Sequence, residues 1–191
     1  MRRAGGDQRA MTISQKLLCC SLLLLLTNGQ PSAQTPNATE TSCRKFVQQF
    51  YDWYLPKART AKVRAADIVL RYKSDAFSPE LRRQLKADST AQAKARGELV
   101  GLDFDPFLNT QDPSFERCTV GKIASQGGSY WAEVTCKFPG ANGEQAHVTP
   151  ELIFQQGRWV FVNFHYQEGS KEYDLLGMLK ALSEERKPQS K

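Results

Sequence analysis

The chain has 191 residues and a formal charge of +6, yet four basic groups and one acid fall in the first 33 residues, so the remainder carries only +3. A balance that small over such a length leaves no electrostatic footprint for a nucleic acid and argues against that class of partner. The charge is unevenly spread, with eleven Lys/Arg against four Asp/Glu in 57–96 and nine against thirteen in 97–191. Two solvated faces of one folded domain account for this; the sharper alternative is a basic helical face that meets an anionic surface.

In chain order, Lys16 leads into ten mostly apolar residues, 17–26, and then a small-residue exit at Ser32-Ala33. This pattern predicts a secretory signal peptide over 1–33, cut after Ala33, and hence an exported protein, periplasmic or extracellular. As a helix, ten residues reach about 15 Å, half a bilayer core, so no transmembrane span is expected after cleavage. Cys19 and Cys20 do not suit lipidation, because the leucines follow them. Residues 34–42 are polar and read as a flexible lead, with Asn37-Ala38-Thr39 as a sequon.

The predicted domain runs over 43–183, with a charged tail at 184–191. A first helix over Cys43–Leu55 is expected to stop at Pro56, with Phe46, Phe50 and Tyr54 recurring every fourth residue as an aromatic lid. A basic connection, Lys57–Arg64, precedes a short helix over Asp67–Tyr72 with Ile68, Val69 and Tyr72 facing inward. Ser78-Pro79-Glu80 is a helix start, with serine at the cap, proline in the first turn and an acid beside the positive end. That helix is predicted to reach Arg96, capped by Gly97, and to lie on the surface because its apolar face is thin. Residues 97–113 then form an irregular loop rich in acids and prolines.

Two hairpins follow, making a curved antiparallel four-stranded sheet over about 118–166 in an α+β fold, with the helices on its concave side. In the second, Gln156-Gly157 is a two-residue turn, so Gln155 faces Arg158, Phe154 faces Trp159 and Leu152 faces Phe161. In the first, a three-residue loop at 126–128 sets Ser125 opposite Ser129 and brings Cys118 opposite Cys136, a candidate disulfide; a strict two-residue turn shifts that pairing by one. Cys43 is then left unpaired, or displaces one of the two if the first helix starts above that hairpin. Tyr173–Glu185 is predicted as a closing helix with Leu175, Leu176, Leu179 and Leu182 at helical spacing.

Helices followed by a strand meander ending in Gly157-Arg158-Trp159-Val160-Phe161-Val162-Asn163 resemble the cone-shaped α+β fold of the nuclear-transport-factor-2-like superfamily. More narrowly, Phe46–Leu55, the Ser78-Pro79-Glu80-Leu81 helix start and Asp103–Pro113 are similar to an exported bacterial family catalogued as domain of unknown function 3828. The resemblance covers about Cys43–Leu182, and its most specific piece is Asp105-Pro106-Phe107 with Gln111-Asp112-Pro113. It implies fold and export, no catalytic residue, and a pocket between helices and sheet.

Chemistry-bearing motifs are few. His147 and His165 do not form a His-x-x-x-His pair, and no nucleophile elbow or phosphate-cradling loop occurs. Asp103-Phe104-Asp105 begins like a calcium loop, but Phe107, Leu108 and Ser114 stand where oxygen ligands and a glycine are needed. No metal and no cofactor are expected. The candidate binding residues are therefore Tyr54 on the first helix, Asp103, Asp105, Gln111 and Asp112 in the loop, and Asn163 and His165, which the alternation puts on the Trp159–Phe161 face. The leading expectation is an exported envelope domain that binds a small apolar ligand or a protein partner without catalysis. One alternative is an isomerase- or dehydratase-like pocket of His165, Asp105 and Tyr54; another is an inhibitor or immunity-type protein acting through 97–113.

Overall fold

The first helix does not stop where a proline suggests it should. In the computed structural model, which describes residues 39–95, 100–140 and 145–187, helix α1 spans Glu40–Thr60 and passes through Pro56. Thr39 starts it with a reciprocal capping box, the Ser42 N–H donating to the Thr39 hydroxyl oxygen at 3.1 Å while the Thr39 N–H donates to that of Ser42. Pro56 forfeits only the bond to the carbonyl of Asp52. Both residues lie on the exposed side, where water can take that carbonyl. Past it, Ala58 is buried and the Arg59 guanidinium donates to the carbonyls of Phe115 and Glu116, which holds the last turn in place.

Helix α2 spans Ala65–Tyr72 and α3 Pro79–Lys94, with a single 3-10 turn at Ser74–Ala76 between them. Ile68 and Val69 face inward as expected. Tyr72 does not: at the last position of α2 it is 58% exposed, its ring 5.3 Å from the Arg71 guanidinium. Ser78 caps α3, accepting from the Leu81 N–H at 3.2 Å, while its own N–H donates to the carbonyl of Phe161 at 2.8 Å. This ties the helix start directly to the sheet. Helix α3 ends at Lys94, short of Arg96. One face is exposed, as at Arg83, Lys86, Thr90 and Lys94, but the other is buried more deeply than its few apolar residues suggest, with Leu81 and Leu85 fully covered and joined by buried Gln84, Asp88 and Ser89. A thin apolar face suffices because those polar groups have partners. The predicted signal peptide, the lead up to residue 38 and the Gly97 cap lie outside the described residues.

The sheet has five antiparallel strands in the order β1-β2-β3-β4-β5 rather than four: Arg117–Gln126, Ser129–Lys137, Gln145–Gln155, Arg158–Glu168 and Lys171–Asp174. The fifth strand takes Tyr173 from the predicted closing helix, so α4 spans Leu175–Glu185 from an Asp174 cap. Four residues of mixed polarity carry no strand signal of their own; pairing with β4 creates it.

The second hairpin turns at Gln156-Gly157 with φ of 50° and 76°, the mirror-image turn that matches strand twist, and the three predicted pairs form. The first hairpin departs from expectation in two places. Its turn is the two-residue Gly127-Gly128, with Gln126 opposite Ser129 and Ser125 opposite Tyr130, and β1 then carries an extra residue between Val120 and Ile123. The bulge undoes the shift, so Cys118 faces Cys136 and the two form a disulfide. A second bulge lies in β4: Leu152 pairs with Phe161 but Glu151 with Asn163, leaving Val162 extra.

That bulge decides what faces the helices. Trp159 and Phe161 point to them, and so, after the extra residue, do Phe164 and Tyr166, while Asn163 and His165 turn to the other face. Phe50 of α1 sits at the centre of the resulting core, its ring within 4.9–6.1 Å of those of Tyr54, Phe77, Phe107 and Phe161. Cys43 is buried in the same core, and burial pushes its thiol up to about 12, so it is not a thiolate at neutral pH. Along the outer edge of β1, side chains of α1 replace a neighbouring strand. The Gln48 amide accepts from the Val120 N–H at 3.1 Å and donates to the Cys118 carbonyl at 3.0 Å, and Arg44 donates to the carbonyls of Val120, at 2.7 Å, and Gly121.

Candidate functional site

The expected pocket between helices and sheet is filled by the protein itself. The segment 100–113 folds back with Asp105 and Thr110 bridged, the Asp105 N–H donating to the Thr110 carbonyl at 2.7 Å. It buries Phe107 and Leu108 completely. Three tyrosine hydroxyls from two elements hold this plug: Tyr51 donates to the Phe107 carbonyl at 2.9 Å, Tyr54 to the Asp105 carboxylate at 2.7 Å and Tyr166 to the Pro106 carbonyl at 2.8 Å. Burial raises all three phenols well above their ordinary value, so they remain donors across the physiological range.

Asp105 organises the loop. Its other carboxylate oxygen accepts from the Phe107 N–H at 2.9 Å, a local turn of the kind short acids favour. Burial drives its carboxyl up to about 6, against the opposing pull of the Tyr54 hydroxyl and the N–H groups of Phe107 and Leu108. The acid therefore titrates near neutrality with only neutral donors around it.

Outside the plug lies an open groove of about 390 Å³, bounded by the end of α1, the start of α2, one side of α3 and the segment 102–113. Tyr54, Asp103, Asp105 and Gln111 all line it, so four of the seven residues singled out in the sequence share one site. Much of the lining is apolar, from Ala58, Ala61, Ala66, Ile68, Phe104 and Pro106, and Val63 at the groove is 61% exposed. Arg64, Asp88 and Gln92 add polar groups that the sequence did not single out. Each is already engaged: Arg64 pairs with Asp67 at 3.0 Å, and Asp88 holds Arg186 as well as the Gln92 amide at 2.7 Å.

The other three candidates lie elsewhere. Asp112 stabilises the loop's exit, accepting from the Ser114 N–H and hydroxyl at 3.1 Å, and faces Arg59, Phe115 and Pro139. Asn163 is occupied in joining β4 to α4: its amide donates to Asp174 at 2.8 Å and its oxygen accepts from the N–H groups of Phe164 and Leu176. Burial pushes the Asp174 carboxyl up, but that bond and the Gly177 N–H hold it below its ordinary range.

His165 lies on the face of the sheet away from α1, stacked on Trp131 with ring centroids 3.9 Å apart and 3.0 Å from the Glu151 carboxylate. It borders a second open hollow of about 570 Å³ with Trp131, Glu133, His147 and Glu172. His165 is thus parted from Tyr54 and Asp105 by the sheet. The alternative pocket of these three does not form, because the Val162 bulge reverses the alternation. Alternation along β2 would have put Trp131, Glu133 and Thr135 on one face, but only the register joins them to His165. Among the described residues, no group of three or more His, Cys, Asp or Glu is placed to hold a metal ion, and no helix is long and apolar enough to cross a membrane.

No family model and no curated protein matches the chain. Among solved structures, a protein of unknown function from Bacteroides thetaiotaomicron is similar at 16% identity, covering 65% of this chain and 89% of its own, with a TM-score of 0.44. A SEC-C motif containing protein from Rhodopseudomonas palustris is similar at 13% identity, over 61% and 91% of the two chains, with a TM-score of 0.30. At these scores neither likeness bears on function.

Proposed function

We propose that this protein is an exported, non-catalytic binding domain of the cell envelope that holds a small, largely apolar ligand in the groove between α1, α2, α3 and the 100–113 segment. The observation that carries this reading is the groove itself: an open, mainly apolar concavity with a few polar groups, in the size range of small-molecule sites. Export rests on the Lys16–Leu26 pattern, and the kinship with the family of domain of unknown function 3828 on the Asp105-Pro106-Phe107 and Gln111-Asp112-Pro113 pieces.

The test is native mass spectrometry of protein taken from the envelope of its own host, with N-terminal sequencing of the same sample. A retained small molecule, lost when Val63→Glu puts a charge at the groove, and a mature start near Gln34 support the reading. A chain found in the cytosol with its leader still attached sinks the export half. A second reading, a small-molecule enzyme, is favoured by one contact, the 2.7 Å bond from Tyr54 to an acid that titrates near 6. It predicts that Tyr54→Phe abolishes the protein's function in a complementation assay while the fold survives.

A further inference from the structure

The groove has an internal charge balance that leaves one sign over. Arg64 is neutralised by Asp67, and Asp88 by Arg186. Asp103 and Asp105 remain, and among the described residues neither takes part in an ion pair. Asp103 meets only the Gln111 amide, at 3.5 Å, and Asp105 only the Tyr54 hydroxyl and backbone N–H groups. Two residues apart in the loop, both line the groove together with Phe104 and Pro106, whereas Ala58, Ala66, Ile68 and Val63 supply methyl groups. A carboxylate withdrawn from water and satisfied only by neutral donors gains most from a cation that arrives with its own apolar body.

We propose that the groove selects protonated organic amines, the ammonium sitting at the Asp103–Asp105 end and the apolar body over Ala58, Ala66, Ile68 and Val63. This rests on the groove being the ligand site. An alcohol of the same shape can hydrogen-bond there but leaves the acids uncompensated, and a carboxylate is repelled. Binding is also linked to protons. Asp105, pushed up to about 6, is faced by Tyr51 and Tyr54 from α1, Tyr166 from β4 and Asp103 from its own loop, with the engaged Arg64 and Asp88 lining the same groove. Protonating Asp105 removes one of the two charges that face the ammonium. At pH 5 only about a tenth of it stays ionised, so the affinity falls, by up to about tenfold, between pH 7.5 and pH 5.

The experiment titrates the full chain with three matched probes, 4-phenylbutylamine, 4-phenylbutan-1-ol and 4-phenylbutyrate, by calorimetry at both pH values. The expected result is amine binding at least tenfold tighter than alcohol at pH 7.5, no binding of the acid, and a smaller amine advantage at pH 5. Asp105→Asn and Asp103→Asn should each bring amine and alcohol closer together while alcohol affinity, which reports an intact groove, holds. Asp103 is exposed, so its variant tests the idea even where Asp105→Asn perturbs the loop. Equal binding of amine and alcohol overturns the charge selectivity and leaves the groove a ligand site. Failure of all three probes to bind overturns both.

Discussion

The two faces of strand β4 belong to the same eleven residues yet obey different rules. Toward the helices, Trp159, Phe161, Phe164 and Tyr166 are buried in a continuous aromatic core, and the space between helices and sheet is taken by Phe107 and Leu108. On the other face, His165 keeps a carboxylate and a tryptophan as neighbours beside an open hollow. One unpaired residue, Val162, separates the two regimes. Packing density dictates the first face, and solvent the part of the second around His165, so substitutions should have large effects at the one and small effects at the other.

The largest effect is expected at the plug. Phe107→Ala removes a ring in contact with Phe50, Tyr54, Phe77 and Phe164, and should lower stability by about 3–5 kcal/mol in denaturant titration. A loss below about 1 kcal/mol would mean that the loop does not fill the core. Next is the disulfide, also on the helix side. Replacing Cys118 and Cys136 together by alanine should cost about 2–4 kcal/mol, read in the same titration, with Cys43 still unreactive to alkylation in the native state.

A pH comparison sharpens the contrast. An acid whose folded pKa lies above its unfolded value of about 3.9 binds protons more tightly when folded, so its contribution falls as pH rises from about 4 to 6 and is level above. The parent chain should lose about 2 kcal/mol over that window relative to Asp105→Asn, in parallel unfolding curves. Coincident pH profiles would place Asp105 in water. The smallest effect belongs to the open face: His165→Ala should cost about 1 kcal/mol or less and leave groove binding unchanged. A loss of ligand or function there, with the fold intact, would move the site to the other side of the sheet.

How much of this was legible in the sequence depends on whether the determinants were local. The Ser78 cap, the Gln156-Gly157 turn and the aromatic stripe of α1 are set by neighbours in the chain, and each was readable. The cysteine pairing follows from simple alternation only because two departures cancel, a turn one residue shorter than expected and one extra residue in β1. No sequence signal marks Gly121-Lys122 or Val162 as the surplus residue, so alternation alone puts Asn163 and His165 on the helix side. Strand β5 draws its identity from β4. The meeting of Tyr54 and Asp105, fifty-one residues apart, is a product of tertiary packing that spacing does not encode.

The side chains that lie along β1 have a consequence for life outside the folded monomer. A bare strand edge is a template on which a second chain can extend the sheet, the usual first step toward fibres and sticky oligomers. Here Gln48 takes both an amide and a carbonyl of that edge and Arg44 two further carbonyls, so the template is occupied from within. At the opposite edge, β5 is only four residues long and begins with a lysine. Gln48→Ala should therefore betray itself less in the melting curve than in the test tube, as concentration-dependent turbidity in a protein that otherwise stays clear.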